Sequence, residues 1–380
     1  MHRDRPPPGA RLFTAAVLAL AACASCSEGS APATSAGSTS ASSSSGAPVH
    51  CPGQPDDARV ELAPTMVGEL SGIAVDATDV YWLEGFSGPT IGVFSCGVCG
   101  CDKKPKLLAS VEAPLGLPGS IAVDETSVYF TIRATANIQN PNSGSVMKCA
   151  KSGCGNEPTV LASKQAPQGI AVNATHVYWT NDSQNGAEGT VMGCAKDGCD
   201  DKPTLVGSGP QGPEGIAVDA NNVYWTAEVP GTVLECPLEG CVGVPTTLAA
   251  VSTTSPATPI SIAVDATNVY WTLDQNKGND EVLECPIAGC LGIPTTLASK
   301  QIAPGDLLPG GLAVDEQNVY WTNDTQLGLG GNGKLMKCAK SGCGGKPTVV
   351  ASEIDEPGPI AVDATSIYTR NHYTITKVPK

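Results

Sequence analysis

The chain has 380 residues, with 22 Lys plus Arg against 37 Asp plus Glu and a formal charge of −15. That balance argues against nucleic acid and anionic lipid headgroups as partners, because both are held by clustered cationic side chains. Aromatic residues make up only 4%, while Gly (43) and Pro (31) are abundant, which suits short strands joined by turns and disfavours long helices.

Residues 1–22 read as a secretory leader. Arg3, Arg5 and Arg11 form a basic start, and the apolar run Leu12 to Ala22 is too short to cross a bilayer. The leader ends in Leu20-Ala21-Ala22-Cys23, which resembles the lipobox of bacterial lipoproteins. The resemblance implies diacylglycerol on Cys23 and cleavage before it; ordinary cleavage after Ala24 is the alternative. Ala24 in place of Asp implies the outer membrane or cell surface. Residues 23–50 are dominated by Ser, Ala, Gly and Thr and cannot bury enough apolar surface to order themselves, so they read as a flexible tether. No later stretch is apolar enough to span a membrane, so contact with a bilayer is expected only through the anchor.

Residues 51–380 carry seven copies of one phrase: an apolar residue, Ala-Val-Asp, three linker residues, then Val-Tyr-Trp-Thr. It opens as Ile73-Ala74-Val75-Asp76 with Val80-Tyr81-Trp82, and recurs at Ile121, Ile170, Ile216, Ile262, Leu312 and Ile360, 46 to 50 residues apart. A unit of that period cannot bury its own apolar face and must stack on neighbours. Each unit reads as four strands, the first of them the short Ile-Ala-Val run. A Pro stands three residues before six of these runs (Pro118, Pro167, Pro213, Pro259, Pro309, Pro357). Four antiparallel strands per repeat make a propeller blade. The last copy stops after three strands, whereas Arg59-Val60-Glu61-Leu62-Ala63 looks like a fourth strand with no blade before it. Adding it to the last blade closes the ring and removes its open edges. The expected fold is therefore all-β, a seven-bladed propeller.

Twelve of the sixteen cysteines form six pairs at one spacing: Cys96 and Cys101, Cys149 and Cys154, Cys194 and Cys199, Cys236 and Cys241, Cys285 and Cys290, Cys338 and Cys343. A Gly precedes each second cysteine. The spacing predicts a hairpin with a four-residue loop whose last residue has positive φ, its flanking cysteines facing each other across the strands within disulfide reach. Zinc is the competing reading, but each pair lies in a separate repeat with no nearby His, and a secretory leader favours disulfides. Cys51 and Cys99 are the expected further pair, although the Cys96-Cys99-Cys101 cluster allows others, and Cys26 is left over.

The phrase resembles the YWTD propellers of the low-density-lipoprotein receptor and its relatives, carried by Tyr178-Trp179-Thr180, Tyr224-Trp225-Thr226, Tyr270-Trp271-Thr272 and Tyr320-Trp321-Thr322. It departs from them in blade number, in the cysteine hairpins and in the fourth motif residue, which is at most Asn (Asn181, Asn323). The resemblance implies the fold and leaves the ligand open. The Tyr and Trp side chains are expected in the core.

Just beyond the Thr position, by one or two residues, lies a polar ring at one rim: Glu84, Arg133, Asp182, Glu228, Asp274, Asp324 and Asn371. It reads either as an acidic surface for a cation or basic partner, with Phe86 as an added contact, or as strand-end residues that satisfy backbone N–H groups. Glu214 and Gln168 are the only charged or amide side chains where the first strands begin, and a single Glu cannot hold a catalytic metal. No Ser-His-Asp set emerges: His176 reads as a turn residue and His372 as a lone rim His. No motif calls for a cofactor or metal; the acidic charge would tolerate Ca²⁺, though no motif supports it. The expected function is that of a monomeric, lipid-anchored binding module for a protein or carbohydrate partner at the cell surface, without catalysis. A secreted hydrolase or lyase with a weak central site and a structural or adhesive envelope protein are the alternatives.

Overall fold

The computed structural model describes residues 51–52, 58–65, 70–86, 88–114, 116–134, 143–182, 188–250, 257–275, 280–299, 306–325, 333–371 and 373–380. The leader, the tether, Cys23, Cys26 and His372 lie outside them. Seven separate four-stranded antiparallel sheets account for every strand among the described residues. Blade 1 runs Leu70–Val75, Asp79–Gly85, Thr90–Gly97, Lys106–Glu112. Blades 2 to 6 repeat this order over 116–165, 167–209, 211–250, 258–299 and 306–354. Blade 7 consists of Ile360–Val362, Ser366–Asn371 and Thr374–Pro379, and its outer strand is Val60–Pro64 from the other end of the chain. Val60 pairs with Lys377 and Pro64 with Thr374, which is the closure expected from the sequence.

Each blade buries both faces because it is sandwiched between two others. Tyr81, Leu83, Val93 and Leu108 of blade 1 thus share one cluster with Ile121, Val128 and Phe130 of blade 2, and the pattern repeats around the ring. The motif residues divide the work. The Trp rings are fully buried. The Asp caps the turn between the first two strands: Asp76 Oδ1 accepts from the Thr78 and Asp79 N–H groups, and Asp76 Oδ2 accepts from the Tyr81 hydroxyl. Asn173 takes the Asp place in blade 3 and caps the same turn, its Oδ1 accepting from the N–H groups of Thr175 and His176. The Thr hydroxyl stitches neighbouring first strands together. Thr180 Oγ1 accepts from Gly169 N in its own blade and donates to Glu214 O in the next, and Thr226 does the same with Gly215 and Ile260. Blade 1 has Leu83 in the Thr position, and there Ser71 Oγ donates across to Gly119 O instead.

The first strands differ from the short Ile-Ala-Val runs expected. In blades 2 to 6 they begin at or before the proline and reach Ile or Leu through a bulge: Pro213 pairs with Ala227 and Ile216 with Trp225, three residues against two. Proline has no N–H to give a ladder, and a bulge is where a strand accommodates it.

All six cysteine pairs are disulfides, and Cys51 is bonded to Cys99. The glycines before the second cysteines have φ between 95° and 121°, as expected. The hairpin itself departs from expectation. The first cysteine ends the third strand, but the second lies in the connecting loop, where a further turn (Lys104 N to Cys101 O) delays the fourth strand until Lys106. The hairpins pack on the turns between first and second strands, as in Val98 N to Thr78 O and Leu238 N to Asn221 O. Turns and disulfides therefore share one face of the ring, and the polar ring of side chains occupies the other. Seven disulfides mark a protein that matures in an oxidising, extracytoplasmic compartment.

Candidate binding site at the axial mouth

The innermost strands meet around the ring axis, and the residue after each proline sits in the bulge. Bulges re-aim side chains. In blades 2 to 6 these residues are Gly119, Gln168, Glu214, Ile260 and Gly310, so two adjacent blades supply the amide and the carboxylate.

Glu214 is the centre of the site. Its carboxyl is hemmed in by protein yet keeps a solvent-reachable edge. Burial, then the carboxylates of Glu228 and Asp182, push its pKa up to about 7 against the opposing pull of Arg133. Those three groups come from blades 4, 3 and 2, and a side chain feels all of them only from near the axis. Glu228 is exposed, while Asp182 and Arg133 are half-buried. Arg133 Nε donates to Pro118 O at 3.2 Å, which holds the guanidinium beside the mouth. Gln168 Oε1 is buried and finds no hydrogen-bond partner among the described residues, so the mouth offers an acceptor as well as negative charge.

The remaining ring positions show other contacts. Glu84 is buried, and its Oε2 accepts from Trp82 Nε1 at 3.3 Å, so it serves the core of blade 1 and presents no open rim. Phe86 is half-buried and packs edge-on against Phe94, with ring centroids 5.9 Å apart. Asp274 is buried next to Asp280, whose carboxyl is pushed up to about 6, first by its own burial and then by Asp274, although it accepts from Gln275 N. Asn371 Oδ1 accepts from Asp355 N at 2.7 Å, a strand-end satisfaction of a backbone donor. Asp324 lies on its strand opposite Leu307, at the rim end of blade 6. Of the seven ring positions, Arg133, Asp182 and Glu228 are gathered about Glu214. Glu214, set aside in the sequence as a single carboxylate, proves to be the residue they surround. Its signal was a Glu at a position filled elsewhere mostly by Gly, Ser or Ile.

Among the described residues no group of three or more His, Cys, Asp or Glu stands close enough to hold a metal ion. Negative charge beside an amide acceptor suits an ammonium or guanidinium donor. A cleft between blades 4 and 5, lined by Val233, Ala249, Trp271, Leu273, Gln275 and Glu281 among others, includes none of the mouth residues.

No protein family matches the chain by sequence, and no curated protein matches it. Solved structures match the fold. A puromycin-hydrolysing peptidase of Mycobacterium tuberculosis aligns at 15% identity and a TM-score of 0.54, over 80% of this chain and 49% of the peptidase. A prolyl endopeptidase aligns at 13% identity and a TM-score of 0.51, over 75% of this chain and 42% of the enzyme. The chain thus spans less than half the length of either peptidase. A nidogen/laminin complex also matches, at 19% identity and a TM-score of 0.45, over 60% of this chain and 83% of that one. At these identities the likeness is one of fold alone.

Proposed function

We propose that this propeller is a binding module without catalysis of its own, held at a cell surface by a lipid on Cys23, and that it receives a cationic side chain of a protein partner at its axial mouth. The observation that carries the reading is the Glu214 cluster: a carboxyl raised first by burial and then by two neighbouring carboxylates, with the unsatisfied Gln168 acceptor on the adjacent blade. A Lys or Arg donor placed there satisfies the amide oxygen and relieves the repulsion among Glu214, Asp182 and Glu228, so binding and electrostatic relief coincide.

The test is capture from envelope extract. A chain starting at Ser27 is compared with the same chain carrying Glu214→Gln, Asp182→Asn and Glu228→Gln. A partner retained by the first and lost by the second supports the reading. Equal retention by both removes the mouth as the interface. Anchoring is tested separately, since Cys23→Ser abolishes acyl labelling and releases the protein into the soluble fraction if Cys23 carries the lipid.

A further inference from the structure

Four aliphatic side chains stand where the ring's own pattern places polar or small ones. The residue after the second hairpin cysteine is Asp102, Gly155, Asp200 or Gly344 in blades 1, 2, 3 and 6, but Val242 in blade 4 and Leu291 in blade 5. Two positions on, Lys104, Glu157, Lys202 and Lys346 give way to Val244 and Ile293. The relative exposures are 106% for Val242, 91% for Val244, 99% for Leu291 and 80% for Ile293. Side chains that open to solvent stand out as pegs instead of tiling a flat patch. A typical soluble surface has no reason to group them on two adjacent blades.

Leu291 adds a second observation. Its φ is 53°, in the left-handed region that Gly, Asn and Asp tolerate and that costs a bulky residue. Asp102 and Asp200 hold the same position at the same φ of 53°. Neither its backbone nor its burial favours a leucine there, so its benefit lies outside the monomer.

The chain also enters the domain on this face. Cys51 is bonded to Cys99, which lies in the hairpin loop of blade 1. Cys23 and Cys51 are 28 residues apart in the sequence, and a Ser- and Gly-rich chain of that length has a typical reach of about 30 Å, short enough to keep the face near an acyl chain on Cys23. We infer that the Val242–Val244 and Leu291–Ile293 tips dock the domain on a lipid bilayer, hairpin face down, leaving the axial mouth turned outward. This orientation rests in part on the lipid-anchor reading of Cys23. A bilayer yields around pegs, whereas a protein partner needs matching sockets. The net charge of −15 makes a zwitterionic surface the better host. Apolar tips alone bind weakly, and paired with one lipidated residue they supply the second signal that stable attachment requires.

Every described sheet and disulfide closes within residues 51–380, so a chain starting at Ser27 keeps the whole ring and carries no acyl group. This chain is sedimented with phosphatidylcholine vesicles, and with vesicles containing phosphatidylglycerol. Binding to phosphatidylcholine that is insensitive to salt, weaker on phosphatidylglycerol, and reduced at least tenfold by Val242→Asp with Leu291→Asp supports the inference. The substitutions copy residues already present at Asp102 and Asp200, so the variant is expected to melt no lower than the parent. No sedimentation of the parent chain, or equal sedimentation of the variant, overturns the inference. So does self-association without vesicles that the same substitutions abolish, which assigns the tips to an interface between copies. None of these outcomes depends on whether Cys23 is acylated or the mouth binds.

Discussion

The seams between blades are of two kinds. Between blades 1 and 2, 2 and 3, 5 and 6, and 6 and 7, a Lys of the later blade reaches the turn Asp of the earlier one: Lys151 to Asp76, Lys196 to Asp124, Lys340 to Asp265, Lys380 to Asp315. Three of these ammonium groups also lie 5.2 to 5.5 Å from the centre of the clasped Tyr ring. Between blades 3 and 4, and 4 and 5, the lysine place is Leu238 and Ile287, half-buried against the neighbouring cores. At the first of these the Asp has also become Asn173. At the second Asp219 stays, and after burial itself it is the group that raises the Glu235 carboxyl. At the closing seam the place is Val98, and the Cys51–Cys99 disulfide lies there instead. A half-buried ion pair and a packed aliphatic contact thus both serve at a seam, whether the Asp changes with the Lys, as at Asn173, or stays, as at Asp219. That is expected when the cost of desolvating two charges nearly cancels their attraction.

The comparison breaks most sharply at the closing seam. Cys51 and Cys99 are 48 residues apart, against 5 for each hairpin pair. Loop-closure entropy gives about 4 kcal/mol for the long loop and about 2 kcal/mol for a short one. Replacing Cys51 and Cys99 with Ser is therefore expected to lower stability about twice as much as replacing Cys285 and Cys290, as read by chemical denaturation. Equal losses would show that the long disulfide does not constrain the unfolded chain as its span implies.

The clasps come next. Burial on its own pushes the Asp315 carboxyl up, but Lys380, the Asn318 and Gln317 N–H groups and the Tyr320 hydroxyl outweigh it and bring its pKa to about 2. Asp265 is held lower still, with Lys340 foremost among the groups that overcome its burial. A depressed folded-state pKa contributes stability that is fully present above the ordinary Asp value of about 3.9 and is lost as the pH falls toward the folded value. Lys340→Met leaves the half-buried Asp265 without its ammonium and is expected to cost about 1–2 kcal/mol at pH 7. The gap between variant and parent should narrow from pH 4 downward in thermal melts. A gap of constant size would mean that the lost lysine stem matters more than the charge.

Regularity decided what could be read from the sequence. The Asp, Tyr, Trp and Thr roles, the hairpin disulfides and the closing strand recur or complete a count, so the chain displays them before folding. The mouth does not recur. Glu214 joins Asp182, Glu228 and Arg133 only after a bulge turns it toward the axis and ring closure brings three blades around it. Glu84 pairs with Leu70 as Asn181 pairs with Pro167, one position short of Asp182, and successive residues of a strand face opposite ways, so Glu84 meets the Trp82 indole N–H while Asp182 stands at the mouth. A period shows which positions correspond, not which neighbour each side chain meets.

Glu214 gives the smallest effect and ties stability to function. Its folded-state pKa of about 7 lies above the ordinary Glu value of about 4.3. The parent protein therefore loses stability as the pH rises from about 4.5 to 7, because ionising Glu214 beside Glu228 and Asp182 is unfavourable in the folded state. Glu214→Gln is expected to leave stability unchanged at pH 4.5 and to raise it by about 1 kcal/mol at pH 8, after allowance for the solvent-reachable edge of the carboxyl. The same titration governs the proposed partner. A cationic side chain gains most once Glu214 is ionised, so capture should strengthen as the pH passes through 7 while the unbound protein weakens. Opposite pH trends in binding and stability, both flattened by Glu214→Gln, would trace the two effects to one carboxyl. A binding profile that ignores the substitution would separate them and leave the raised Glu214 as a cost without a ligand.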